Sequence, residues 1–299
     1  MGPDAEAWIR AHVAATAIDV VHERPWATVA RVAVGDGVAW FKACAPAQAF
    51  EVGLTATLAG RWPGLLPDVL ASDEAHAWLL LADAGERVGF GGDPKPWVSL
   101  FPRYAELQRS ETAHAAEHLA GGVPDRRLAA FPALYDATLE HELPISAGER
   151  SRLQRFAPRL AAMCAELADD GIPETIQHDD LHGANIFLQN GAIRILDWGD
   201  SCVSHPFLSP FVTFVHIEDG LQPEDPRYAR LRDAYLEPWG APAELRMTFD
   251  LAQRLGPFAH MFKEIHVLDA IADGDRAAFE RDFMPGFAPV LAACVAAAA

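Results

Sequence analysis

Between residues 186 and 196 the chain has to turn back on itself. Ile186-Phe187-Leu188 and Ala192-Ile193-Arg194-Ile195-Leu196 are apolar runs joined by Gln189-Asn190-Gly191. Asn-Gly tolerates left-handed backbone at both central positions of a tight hairpin, so the two runs pair as antiparallel strands. Asn185 precedes the first strand and Asp197 follows the second. The hairpin therefore brings these two together at the open end of one ladder. Asp180 enters from the loop just before the first strand, and His178, Asp179, His182 and Asp200 crowd the same stretch.

That set suits phosphoryl transfer, which needs positioning and charge neutralisation more than covalent chemistry. The carboxylate of Asp197 and the amide oxygen of Asn185 are hard oxygen ligands of the kind Mg²⁺ takes. A second carboxylate on a loop, Asp180, can accept or orient the proton of an attacking hydroxyl.

The rest of the chain divides into two parts of different character. A helix is expected over Asp4 to Ala15, followed by strands Ala27 to Val34, Val38 to Ala43, Leu66 to Ala71 and His76 to Ala82. Gly35-Asp36-Gly37 marks a hairpin turn. One helix, about Pro46 to Arg61, interrupts the strands. After Asp83-Ala84-Gly85 the pattern becomes helical. Trp97, Leu100, Phe101, Tyr104 and Leu107 recur at helical spacing. Another helix runs from about Arg126 to His141, and Ser146 with Glu149 makes a capping box for the next. Helices return after Pro226, Pro242 and Gly256, and the apolar tail from Phe287 fits a terminal helix. The expected class is α+β: a sheet-rich lobe, 1–82, then a larger mainly helical lobe, 83–299, with a hinge near Leu81 to Gly85. A cleft between two such lobes is a common place for a ligand.

The central segment resembles the catalytic and metal-binding loops of the aminoglycoside phosphotransferase family, which has the protein-kinase-like fold. The family pattern is His-Gly-Asp-x-His-x-x-Asn, a hairpin, then an Asp-Phe/Trp-Gly turn. This chain reads His178-Asp179-Asp180-Leu181-His182-Gly183-Ala184-Asn185 and Asp197-Trp198-Gly199-Asp200. The resemblance implies a bilobal fold with a nucleotide-binding lobe, 1–82, and a catalytic and acceptor-binding lobe, 83–299. By position it makes Asp180 the catalytic aspartate, Asn185 and Asp197 the Mg²⁺ ligands, and His178 a buttress behind the loop. Two positions depart from the pattern. Asp179 replaces the usual glycine, and His205, before Pro206, stands where an acidic residue is often found.

On the nucleotide side, Lys42 sits in the apolar strand Val38-Ala39-Trp40-Phe41 and could reach the α- and β-phosphates of ATP or GTP. Glu51, on the following helix, is the expected partner of Lys42. Thr28 is a candidate phosphate contact. The backbone of Leu81, Ala82 and Ala84 resembles the hinge strand that receives a purine. On the acceptor side the candidates are Asp179, His182, Asp200, His205 and Glu264. His216, Glu218, Asp219, His260 and His266 extend this group. Acids and histidines together would suit a cationic or sugar-like acceptor. Phe258, Met261, Phe262, Ile265 and Leu268 predict a buried helical stripe, whereas His260, Lys263 and Glu264 could face the acceptor or water.

The 24 basic and 42 acidic residues give a net charge of −18, which disfavours nucleic acid and anionic membrane as partners. Cys44, Cys164, Cys202 and Cys294 show no metal or redox spacing, and the N-terminus lacks a basic-then-apolar signal pattern, so a cytoplasmic location is expected. The leading expectation is an antibiotic kinase, in which an ATP- or GTP-dependent, Mg²⁺-requiring enzyme transfers the γ-phosphate to a hydroxyl. A metabolic kinase of an amino sugar or amino alcohol is the first alternative. A nucleotide-binding pseudokinase, and a hydrolase with a metal on His178, Asp180 and His182, are the others. Oligomeric state is not legible.

Overall fold

The computed structural model describes residues 1–90, 95–217, 220–270 and 284–298. They form two compact units, one joining Met1–Gly89 to Gly183–Asp200 and the other joining Phe90–His182 to Ser201–Ala299. Residues 183–200, grouped with the helical lobe in the sequence division, thus fold with the strands.

In the first unit, α1 (Pro3–His12) leads into β1 (Ala15–Arg24), β2 (Ala27–Val34), β3 (Gly37–Cys44), β4 (Val69–Asp73) and β5 (Trp78–Ala82). The five strands are antiparallel in the order β1-β2-β3-β5-β4. Helix α2 (Phe50–Arg61) lies between β3 and β4 in sequence. Side chains alternate across a strand, and here that alternation sorts two cores. Ala39, Phe41 and Leu80 pack with Ala5 and Ile9 of α1. Leu79 and Leu81 pack with Val52 of α2. Lys42, one residue beyond Phe41 and paired with Leu79, faces the α2 side. Strand β1 has no counterpart in the sequence expectations. Most of its side chains are exposed, so it lacks the apolar alternation that announces a strand.

A second sheet of this unit contains β6 (Glu86–Arg87), β8 (Ile186–Gln189) and β9 (Ala192–Ile195), in the order β6-β8-β9. The hairpin forms as expected, with Asn190 at φ 52° and Gly191 at φ 79°. The carbonyl of Asn185 accepts a hydrogen bond from the Leu196 N–H at 2.9 Å, which extends the ladder to its open end.

In the second unit the helices are α3 (Lys95–Glu111), α4 (Ala115–Ala120), α5 (Phe131–Glu140), α6 (Ala147–Asp169), α7 (Pro210–His216), α8 (Pro226–Leu236), α9 (Pro242–Ala270) and a C-terminal helix, Met284–Ala297. A short antiparallel pair, β7 (Thr175–Gln177) and β10 (Cys202–Ser204), joins them. The capping box of α6 is present: Ser146 Oγ accepts from the Glu149 N–H, and the Ser146 N–H donates to the Glu149 carboxylate. Two expectations are corrected. Helix α5 starts at Phe131 and not near Arg126, because Arg126 is drawn into a buried ion pair. Helix α9 runs unbroken through Gly256 and Pro257, and Gly256 packs directly on the Phe211 ring, where a larger residue would not fit. Four members of the expected α9 stripe, Phe258, Met261, Phe262 and Ile265, are buried, with Phe258 against Tyr135 and Phe262 against Phe131, while Leu268 is half-buried. Each such side chain contributes about 2 to 3 kcal/mol of burial. Among the described residues, no helix is long and apolar enough to cross a membrane.

Candidate active site

The first unit brings together the residues assigned to nucleotide and metal. Lys42 Nζ lies 2.6 Å from Glu51 Oε2 and 2.5 Å from Asp197 Oδ1. The strand aims Lys42 at α2, the first turn of α2 supplies Glu51, and the hairpin returns Asp197. Burial works against the lysine charge, but Asp197 and Glu51 outweigh it and hold the ammonium above its usual range. Burial pushes the Glu51 carboxyl up, with Lys42 pulling the other way. Asp197 adopts a left-handed backbone, φ 65°, which turns its carboxylate out of the ladder and leaves it 55% exposed. Trp198 is buried behind it, donating to the Ile195 carbonyl. Gly199 packs on Glu51 and Gln48.

Asn185 and Asp197 fit a magnesium ion by their chemistry: one amide oxygen and one exposed carboxylate, with the backbone bond from Leu196 to Asn185 holding the two chain segments together. Magnesium keeps several waters and takes few protein oxygens. Among the described residues no group of three His, Cys, Asp or Glu could hold a metal. His178, Asp180 and His182 therefore do not form the centre that the hydrolase alternative needs.

Other candidates in this unit are placed differently. Thr28 pairs with Ala43, so it stands on the face of the sheet opposite Lys42, and Val29 is the residue facing with the lysine. The structure gives Thr28 no place beside Lys42. Leu81 is buried against α2, the Ala82 N–H already donates to the Asp68 carbonyl, and Ala84 is buried. Asp200 accepts a hydrogen bond from Gln48 Nε2 at 2.9 Å, within the first unit.

The second unit holds the loop with Asp180. The His178 N–H donates to Tyr104 Oη, and the Leu181 carbonyl accepts from Thr213 Oγ1, so α3 and α7 fasten both ends. Asp180 Oδ2 lies 3.1 Å from His182 Nε2, and Asp180 Oδ1 lies 3.0 Å from Lys263 Nζ on α9. Burial opposes ionisation of this carboxyl, yet Lys263 and His182 together hold it well below the usual range. Glu264 Oε1 is 3.0 Å from Lys263 Nζ and 3.4 Å from His260 Nε2. Burial lowers the pKa of His260, and burial with the nearby His182 lowers that of His216. The rings of Phe90 and His216 lie against His182. His182 Nδ1 and His260 Nδ1 are buried and make no hydrogen bond within the described residues. His266 is half-buried on the same helix. Glu218 and Asp219 lie outside the described residues.

Both departures from the family pattern have structural explanations. Asp179 has φ 58°, the left-handed backbone that glycine adopts without cost. Its Oδ2 lies 2.6 Å from Arg126 Nη1, and both side chains are buried. It is paired inward with an arginine, away from the acceptor role expected for it. His205 is fully buried, and its Nδ1 accepts from the Phe207 N–H at 3.3 Å, capping the turn Pro206–Leu208. An acid at this position would make the same cap. Burial drives its pKa down to about 3, so the ring is neutral and structural.

The sequence gives Arg126 and Phe90 no part in the site and leaves Lys263 open between the acceptor and water. For Lys263 there was a signal: it is the one lysine in the long apolar stretch from Leu255 to Leu268.

A sequence profile of the phosphotransferase enzyme family (APH) matches residues 58–249. No curated protein sequence matches the chain significantly. Solved structures resemble it over nearly its whole length. A choline/ethanolamine kinase family protein from Mesorhizobium loti is 19% identical with a TM-score of 0.58, covering 97% of this chain and 99% of its own. The macrolide 2'-phosphotransferase MphH from Brachybacterium faecium is 18% identical with a TM-score of 0.60, covering 91% and 94%. APH(2")-IIIa in complex with GDP and kanamycin is 14% identical with a TM-score of 0.64, covering 96% and 99%. The fold is that of these two-lobed kinases. With the family profile spanning well over half of its residues, the chain belongs to the phosphotransferase enzyme family.

Proposed function

We propose that this small-molecule phosphotransferase moves the γ-phosphate of ATP or GTP to a hydroxyl of its acceptor. The observation that carries the proposal is the single ammonium of Lys42 held between Glu51 and Asp197. Glu51 fixes the lysine, which can steady the α- and β-phosphates of a nucleotide. Asn185 and Asp197 would hold Mg²⁺, which when bound neutralises phosphate charge. Asp180 orients the acceptor hydroxyl for attack. Its loop is fastened by Tyr104 and Thr213, so the carboxylate is set before the acceptor arrives.

The acceptor is proposed to be an antibiotic, in line with the family resemblance and with the macrolide and aminoglycoside enzymes among the similar folds. A metabolic amino sugar or amino alcohol is the second reading. A specific observation favours an acceptor with few ammonium groups: the carboxylates of Asp179 and Glu264 are already paired with Arg126 and Lys263. An aminoglycoside offers several ammonium groups at once and would have to compete with these internal cations.

A nucleotide-consumption screen against aminoglycosides, macrolides, nucleoside antibiotics, amino sugars and choline-like alcohols identifies the acceptor. Asp180→Ala is expected to abolish transfer while leaving nucleotide binding largely intact. Retained turnover in that variant would sink the assignment, and nucleotide binding with no transfer to any acceptor would favour the pseudokinase.

A further inference from the structure

Both oxygens of the Asp180 carboxylate are engaged within the second unit. Oδ1 meets Lys263 Nζ at 3.0 Å and Oδ2 meets His182 Nε2 at 3.1 Å. Lys263 projects from α9 with its side chain only 8% exposed. A buried lysine is costly unless it is paired and hydrogen-bonded, and Glu264 next to it already supplies one partner at 3.0 Å. The contact of Lys263 with Asp180 ties α9 to the loop that carries this carboxylate. Among the described residues, His182 on its own loop and His260 on α9 also face this carboxylate, with His216 of α7 against His182. Arg126 is committed to Asp179.

We propose that Lys263 is the positioning residue of the catalytic carboxylate: it and His182 grip the two oxygens of Asp180 and fix the orientation that an acceptor hydroxyl meets. This rests on the reading of Asp180 as the group that orients the acceptor. Phosphoryl transfer asks for placement of the hydroxyl more than for a strong base, so a carboxylate made less basic by an ammonium remains suitable. The ammonium also answers a problem set by burial. A half-buried carboxyl would otherwise tend to hold a proton, and a protonated Asp180 could not accept the hydroxyl's hydrogen bond through that oxygen. A rigid helix is a better support for such a contact than a loop.

The test uses the full chain carrying ¹³C at aspartate carboxyls, with the Asp180 resonance assigned by its loss in Asp180→Asn. In the wild type the resonance is expected to stay in its ionised position through the ordinary carboxylate range. In Lys263→Met its midpoint is expected to move up, into or above that range. Lys263→Arg should restore the wild-type behaviour, and Glu264→Gln should leave the resonance ionised because Lys263 still reaches Asp180. With the acceptor found by the screen, Lys263→Met should lower kcat at least tenfold, move the acid limb of the rate profile to higher pH, and leave the nucleotide Kd unchanged. If Lys263→Met fails to fold, Lys263→Gln carries the same test. An Asp180 resonance unmoved by loss of the lysine overturns the proposal even where Asp180→Asn abolishes transfer. Transfer that survives in Asp180→Asn sinks instead the catalytic role of Asp180, whatever the resonance does.

Discussion

Gly199 packs so closely on Glu51 that a β-carbon there would lie 2.8 Å from Glu51 Oε2, the oxygen that also receives Lys42. The turn after Asp197 and the Lys42–Glu51 pair are thus in direct contact. Gly199→Ala is expected to displace Glu51, because that side chain is buried and held by the lysine. Overpacking of this kind costs about 1 to 3 kcal/mol. Denaturant unfolding should register that loss, and a nucleotide-binding titration should show at least a tenfold weakening beyond it.

Lys42→Met removes the cation between two carboxylates. The KM for ATP or GTP is expected to rise at least tenfold. Leaving Glu51 buried without its ammonium should also destabilise the fold by about 3 kcal/mol. Steady-state kinetics and chemical denaturation measure the two effects separately. Wild-type nucleotide affinity in this variant would contradict the role given to the lysine.

Asp179 and Arg126 should be strongly coupled. Asp179→Gly relieves the left-handed backbone but removes the carboxylate partner of a buried guanidinium, and is expected to cost about 3 kcal/mol. Adding Arg126→Met should recover much of that loss, giving a coupling energy above about 1 kcal/mol in a double-mutant cycle. Additive effects would show that the pair contributes no specific interaction.

His205 makes stability depend on pH. The unfolded chain binds a proton at this ring below its ordinary pKa of 6.5, whereas the folded chain resists protonation down to about 3. Its contribution is constant above 6.5 and is lost as pH falls from there towards 3, at about 1.4 kcal/mol per pH unit. His205→Asn keeps an acceptor for the Phe207 N–H but cannot take up a proton. The stability difference between wild type and variant should therefore shift by about 2 kcal/mol, against the wild type, between pH 6.5 and pH 5.

The sequence was most legible where local chemistry decides structure. Asn190-Gly191 fixed the hairpin, Ser146 with Glu149 fixed the start of α6, and the apolar spacing on α9 revealed its buried stripe. These signals act over a few residues. Strand β1 was missed because its side chains are largely exposed, and Gly256-Pro257 misled because the Phe211 ring that requires the glycine is far away in sequence. At the site, the hairpin brings Asn185 and Asp197 together, the apolar strand singles out Lys42, and the family resemblance supplies Glu51 as its partner. Thr28 could not be placed, since the face it occupies depends on register with β3. Asp179 and His205 were visible as departures, but their partners, Arg126 and the Phe207 N–H, are matters of tertiary packing or of local backbone geometry that residue type does not reveal.

The Gly89 N–H donates to the Gly183 carbonyl at 2.8 Å, within the first unit. The chain leaves that unit and re-enters it at adjacent points, so residues 90–182 have the topology of an insertion. A splice that joins Gly89 to Gly183 and stops at Asp200 would keep Lys42, Glu51, Asn185 and Asp197 on one short polypeptide, whereas ordinary truncation after residue 89 would discard Asn185 and Asp197. This unit is one body in space but two pieces in the gene, and any attempt to dissect, permute or transplant it has to cut at 89 and 183 together.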